Sequence, residues 1–284
     1  MSNTPSPLRY PGGKTRLYLY VKELLQANNS IGQTYIEPFA GGAGLALKLL
    51  LNGDVKKIII NDFDYAIYCF WYCVLNYADE LCNFIREVNV TPAEWEKQKN
   101  IYNNQKEYDV LDIGKATFFL NRTNVSGVIK GGMIGGQNQT GNYLIDARFN
   151  KENLIERIAE ITKHKNNIDL YNRDAVDFLK NILPHYYKVF INFDPPYVEK
   201  GGQLYKNSFI EKDHEALRDA IRKCSRKWIV TYDVCDLTKN LYSKYRSSYI
   251  DINYSVKTNR KAKEYIFFSK SMLIPKDIKI NSED

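Results

Sequence analysis

The stretch 34–51 constrains the fold of this chain more than any other. Thr34–Glu37 suits a buried strand, Pro38 ends it, three glycines (Gly41, Gly42 and Gly44) follow, and an apolar run continues to Leu51. Glycines at such a place let the backbone turn sharply and approach a ligand closely. A strand that passes through so short a turn into a helix belongs to a parallel sheet covered by helices. The alternation then repeats. Lys57–Asn61 reads as a strand and 64–87 as a long helical stretch. Ile168–Tyr171 reads as a strand followed by a helix at 175–181. Residues 188–193 form a strand of β-branched and aromatic residues, 212–224 a helix, and 228–231 another strand. Residues 249–254 and 265–269 read as closing strands, a hairpin at the sheet edge. The expected fold is α/β, with a Rossmann-like sheet.

The middle of the chain departs from this rhythm. From about residue 76 the pattern is helical, and at 124–142 it becomes rich in Gly, Asn and Gln, with too many glycines for a regular helix or central strand. A long polar loop between periodic segments is usually functional or disordered. Residues 77–149 are therefore read as an inserted, mostly helical recognition domain, with 1–76 and 150–284 as the catalytic domain. At 284 residues the chain is long enough for one large core and such an insert. The net charge of +7 suits a polyanionic partner. No apolar run is long enough to cross a membrane, and Met1 to Pro7 lacks the apolar core of a signal peptide, so the cytoplasm is the expected compartment. The five cysteines, Cys69, Cys73, Cys82, Cys224 and Cys235, have no paired spacing for zinc and an odd count for a disulfide framework. His164, His185 and His214 are too dispersed for ligand spacing, and no metal is expected.

Three places carry chemistry. Asp62 ends the second strand about 20 residues beyond the glycine turn, where an acid accepts hydrogen bonds from ribose hydroxyls. The turn and Asp62 together imply an adenosine-containing cofactor, although Asp62 would equally serve as a helix N-cap. Asp194-Pro195-Pro196-Tyr197 directly follows the strand at 188–193, and open α/β sheets bind ligands at the carboxyl ends of their strands. Two prolines fix the exit of the chain. An exocyclic amine has two protons to donate, and Asp194 and the Pro195 carbonyl can accept both, leaving the nitrogen lone pair for a methyl group. Tyr197 would stack on an extruded base. Near the start, Pro11-Gly12-Gly13 makes a turn that presents Tyr10 and Lys14, the first to cover a cofactor, the second to bind its carboxylate or a phosphate.

These motifs together resemble the D12 class of DNA adenine-N6 methyltransferases, in the arrangement that places the cofactor turn first, the recognition insert next and DPPY last. The matching pieces are RYPGGK, EPFAGGAG, NDFD, NRTNVSG and DPPY, and they cover nearly the whole chain. The resemblance implies S-adenosylmethionine as cofactor and double-stranded DNA as substrate, with a restriction endonuclease acting on the same site as a possible partner. It implies cofactor contacts from Tyr10, Lys14, Glu37, Pro38, Phe39, Gly41, Gly42, Gly44, Asp62, Asp174 and Asp194. It also implies a catalytic role for Asp194 through Tyr197, by base flipping and direct in-line transfer. The stretch 125–141 departs from that of the Dam enzymes, so a GATC target is not implied.

Arg9, Arg122, Lys130 and Arg148 are candidate DNA contacts, and Asn124, Asn138 and Gln139 candidate readers of adenine edges, although most such contacts go to phosphate. The basic run at 257–263 is either a turn near DNA or a solvated hairpin tip. Other functions use part of this pattern. The same amine chemistry serves N4 of cytosine, or an amine in protein or RNA. A nicotinamide-dependent oxidoreductase would use the glycine turn and Asp62 but would have no use for Asp194-Pro195-Pro196-Tyr197.

Overall fold

The computed structural model describes residues 4–10, 13–198, 209–254 and 260–275, without the side chains of 251–254 and 260–262. The chain forms two compact units. The first comprises Met1–Thr4, Lys14–Phe63 and Asn167–Asp284; the second comprises Pro5–Gly13 and Asp64–Asn166.

The first unit is built on a seven-stranded sheet. Its strands are β1 (Thr34–Glu37), β2 (Lys57–Asn61), β3 (Ile168–Tyr171), β4 (Val189–Phe193), β5 (Lys227–Asp233), β6 (Arg246–Tyr254) and β7 (Arg260–Phe268), in spatial order 3-2-1-4-5-7-6. The first five are parallel, whereas β7 runs antiparallel to both β5 and β6. This is a Rossmann-like sheet closed by an antiparallel pair of strands. β1 and β4 are buried at every position, as central strands of a helix-covered sheet are, and this includes the polar Thr34, Glu37 and Asn192. The closing strands extend further than expected and pair from Arg246↔Phe268 to Tyr254↔Arg260. β6 lies at the edge, and β7 is threaded between β5 and β6.

Strand alternation separates two faces. Ile36, Ile191, Phe193, Trp228, Val230, Tyr232, Tyr265 and Phe267 belong to one apolar core, joined by Leu217 and Ile221 from the helix Glu211–Lys223. The register puts Tyr35 and Glu37 of β1, Asn192 of β4, Thr231 of β5 and Glu264 of β7 on the opposite face. That face becomes polar toward the carboxyl ends of the parallel strands.

The second unit is helical, with Tyr65–Asn76, Ala78–Glu87, Pro92–Asn103, Val110–Thr123 and Lys151–Lys163. Each helix begins for a local reason. Asp64, Thr91, Asp109 and Asn150 accept hydrogen bonds from backbone N–H groups in the first turn, and Pro92 follows Thr91 where a missing donor costs nothing. The helical stretch expected at 64–87 is two helices, broken at Tyr77 (φ −131°, ψ 41°), after which Asp79 and Glu80 occupy the favourable first turn of the second. The expected insert, 77–149, lies inside this unit, which also takes in Tyr65–Asn76 and Lys151–Lys163. The first of these helices packs on Val110–Thr123: Phe70 stacks on Phe118 at 6.0 Å, and the Cys73 thiol donates to the Val110 carbonyl at 3.4 Å. No helix among the described residues is long and apolar enough to cross a membrane.

Candidate active site

The glycine turn takes the conformation its sequence requires. Gly41 and Ala43 both have φ 46°, and a Cβ on Gly44 would fall 2.3 Å from the Thr15 hydroxyl. Asp62, half-buried at the end of β2, accepts a hydrogen bond from the Gly41 amide at 2.8 Å, so the candidate ribose acid is braced against the turn. Asn61, which was not singled out in the sequence, locks this region further. Its Nδ2 donates to the carbonyls of Pro38 (2.9 Å) and Arg173 (3.0 Å), and its Oδ1 accepts from the Arg173 amide (2.9 Å). One buried amide thereby ties the turns that follow β1 and β3 to the end of β2. Asp174 is exposed and accepts from the amides of Val176 and Asp177 as an N-cap. Phe39 is half-buried, edge-on to Phe209 at 5.8 Å, whereas Phe63 beside Asp62 is exposed.

Beyond β4, Asp194 reaches Thr231 and Lys14. Its Oδ1 accepts from the Thr231 hydroxyl at 2.8 Å and lies 2.9 Å from Lys14 Nζ. No described residue donates to Oδ2, and the side chain remains 25% exposed. Burial pushes the Asp194 carboxyl up; Lys14 opposes the rise and Glu264 adds to it. Lys14, 5% exposed, also lies 3.2 Å from Glu264 Oε2 and donates to the Tyr197 hydroxyl at 2.7 Å. Its ammonium is set among two carboxylates and a phenol. Lys14 thus serves as an internal counter-ion to Asp194 and Glu264. Tyr197, expected as a stacking platform, is 5% exposed; its hydroxyl is hydrogen-bonded to Glu264, and its ring must leave this cluster before a base can lie on it.

Glu264 was also missed by the sequence reading. It stands in a lysine-rich segment of β7, and only its two-residue spacing from Ile266 and Phe268 betrays that it points inward. On the same face, burial and then Asp194 push Glu37 up to about 8. Asn192 Oδ1 is buried without a hydrogen-bond partner among the described residues. Acceptors therefore exceed donors at this end of the sheet. The arrangement fits a ligand that carries positive charge together with hydroxyl and amine donors, as S-adenosylmethionine does through its sulfonium, ammonium and ribose. Among the described residues no group of three or more His, Cys, Asp or Glu side chains is arranged to hold a metal ion.

The model of the D12 class N6 adenine-specific DNA methyltransferases matches residues 10–258. The chain belongs to that family. It is therefore an S-adenosylmethionine-dependent enzyme that methylates adenine in DNA. A type II methyltransferase of Methanocaldococcus jannaschii, M.MjaIII, is 28% identical over 67% of this chain and 68% of its own length. A type II methyltransferase of Paramecium bursaria Chlorella virus NC1A, M.CviBI, is 22% identical over 84% and 86%. Among solved structures, M. capricolum TrmK in complex with S-adenosyl-homocysteine superposes with a TM-score of 0.36 at 10% identity, covering 88% of this chain and 68% of that one.

The candidate DNA contacts lie in the second unit. Arg122 donates to the Arg148 carbonyl at 2.7 Å, Arg9 to the Asn124 carbonyl at 3.0 Å and Arg157 to the Ser6 carbonyl at 2.9 Å. Burial and the charges of Arg9, Arg157 and Arg148 all disfavour the charge on Arg122. No carboxylate among the described residues pairs with any of these four arginines. Arg157 carried no signal in the sequence, because the helix Lys151–Lys163 looked merely amphipathic. Lys130 and Asn138 are exposed. Asn124, by contrast, is fully buried. It accepts from Trp95 Nε1 at 2.6 Å and lies within bonding distance of the Val128, Ile129 and Gly131 carbonyls. Gln139 bonds the Ile134 and Gly136 carbonyls and the Ile145 amide. Both amides are thus engaged in shaping their own loop. Tyr10 is half-buried, and its carbonyl accepts from the Gly13 amide. The basic run at 257–263 lies largely outside the described residues.

Proposed function

We propose that the enzyme modifies adenine in duplex DNA after extruding the base, and that Asp194 and the Pro195 carbonyl accept the two protons of its N6 amine. The observation that carries this reading is the asymmetry of one carboxylate: Oδ1 is fixed by Thr231 and Lys14, and no described residue donates to Oδ2. Accepting both N–H groups draws the nitrogen toward a tetrahedral geometry and frees its lone pair. The cofactor supplies an electrophilic sulfonium methyl. Once the amine had taken that methyl group, Asp194 Oδ2 would be placed to take the proton the methylated nitrogen must lose. Such a reaction asks the protein chiefly for position and polarisation. Asp62 would bind the ribose, the turn from Glu37 to Gly44 the methionine part, and Asp174 or its neighbourhood the adenine end.

The second unit would hold the duplex. Four arginines without a carboxylate partner among the described residues suit backbone phosphates, which fix register without reading sequence. Lys130 and Asn138, exposed on the glycine-rich loop, are the remaining candidates for base edges. The relatives' designation as type II methyltransferases supports a restriction endonuclease of the same specificity as a partner, with the cytoplasm as the place of action.

Replacing Asp194 with alanine tests the central role. Single-turnover methyl transfer at saturating cofactor should fall at least about a thousandfold, within the range for losing a group that acts on the reacting proton. Near-normal transfer would remove Asp194 from the mechanism.

A further inference from the structure

Two carboxylates share one lysine in the interior of the first unit. Lys14 Nζ lies 2.9 Å from Asp194 Oδ1 and 3.2 Å from Glu264 Oε2, and Tyr197 connects to both Lys14 and Glu264 through its hydroxyl. Glu264 is 1% exposed. A buried charge is costly, and Asp194 alone would neutralise Lys14. Ile266 and Phe268 occupy the same face of β7, so an apolar residue at 264 would continue the pattern without introducing that charge. A second carboxylate therefore needs a reason other than burial of the strand.

We propose that Glu264 is a positioning residue for methyl transfer: it holds Lys14 and the Tyr197 hydroxyl, so that Asp194 is anchored through Oδ1 only and keeps Oδ2 for the target amine. Without Glu264, Lys14 would belong wholly to Asp194, and its ammonium could swing across both carboxylate oxygens and occupy the acceptor. Tyr197 would lose the partner that fixes the end of the Asp194-Pro195-Pro196-Tyr197 segment. Glu264 touches neither the amine nor the methyl group and acts through its neighbours. The proposal rests on the reading of Asp194 as the amine acceptor.

The charged and titratable groups around Asp194 come from every strand packed near it. They are Glu37 and Tyr35 from β1, Tyr232 from β5 and Glu264 from β7, together with Lys14. Glu264 is the one whose negative charge most raises the Asp194 carboxyl. Removing it should shift the acid limb of the reaction to lower pH, whereas a loss of packing alone would leave that limb in place.

The experiment compares wild type, Glu264→Gln, Glu264→Asp and Asp194→Ala as full chains. Each is preloaded with tritiated S-adenosylmethionine and mixed with mixed-sequence duplex DNA, and single-turnover rates are read across pH. Cofactor affinity by calorimetry and thermal melting accompany each variant. Glu264→Gln should slow transfer between about tenfold and a hundredfold, the scale of a misplaced reacting group, with cofactor affinity unchanged and the acid limb displaced to lower pH. Glu264→Asp should restore the limb and part of the rate. A wild-type rate for Glu264→Gln, or equal slowing of both variants with an unmoved limb, overturns the proposal. If Glu264→Gln does not fold, Glu264→Asp decides: slowed transfer at unchanged cofactor affinity supports the role, and a wild-type rate overturns it. Activity in Asp194→Ala would instead defeat the reading of Asp194 on which the proposal depends.

Discussion

At the scale of single residues, two neighbouring carboxyls at the polar end of the sheet differ in their partners. Asp194 has Lys14 beside it, whereas burial and the charge of Asp194 push Glu37 up to about 8 from its ordinary 4.5. Between those values the folded state retains a proton that the unfolded state has released. Stability contributed by Glu37 therefore falls as pH rises through this window. Glu37→Gln should flatten that decline and, near pH 8, leave the protein more stable by at most about 4 kcal/mol in chemical denaturation. A variant that declines with pH as steeply as wild type would show that Glu37 carries no such shift. Asp194 was legible because a strand, an acid and two prolines lie in one short segment. Glu264 was not, because its partners, Lys14 and Tyr197, are distant in sequence and only strand pairing brings them together. Asn61 escaped for the same reason: a single asparagine at a strand end carries no sign of the two remote turns it ties down.

At the scale of elements, the periodic segments were read close to their true bounds, and the departures have physical causes. The helix after the glycine turn begins at Gly44, because Ala43 takes a left-handed conformation. The stretch at 175–181 starts as a helix, but from Phe178 to Ile182 it widens into a π-helical turn ahead of Pro184. The order of β6 and β7 was beyond reach, since a hairpin fits an edge with either strand outermost, and only the buried pairing of β7 with β5 decides it. In the second unit, the glycine-rich stretch is held by Asn124 rather than by regular structure. Asn124→Ala would leave Trp95 Nε1 and several loop carbonyls without their partner, at a cost of about 2–4 kcal/mol. Denaturation should register this loss, and DNA affinity should fall on all sequences alike. Loss of preference between sequences without loss of stability would instead make Asn124 a base reader.

At the scale of the whole molecule, one unit carries the chemistry and the other an excess of unpaired positive charge. The net +7 understates this separation, because Arg9, Arg122, Arg148 and Arg157 cluster in the second unit without a carboxylate partner among the described residues. Binding to duplex DNA should weaken steeply with salt. Arg148→Ala should lower the slope of log affinity against log salt by about 1 while leaving the methylated sequence unchanged. An altered target sequence with an unchanged slope would place Arg148 on a base. The family was legible because several short motifs occur in a fixed order along the chain. The target sequence was not, because it depends on a few side chains of an irregular loop.

The most direct test of the account follows tritium from labelled S-adenosylmethionine into mixed-sequence DNA, with the product digested to nucleosides. The account predicts label in N6-methyladenosine alone. Label in N4-methylcytosine, or none in DNA while the cofactor still binds, would contradict it.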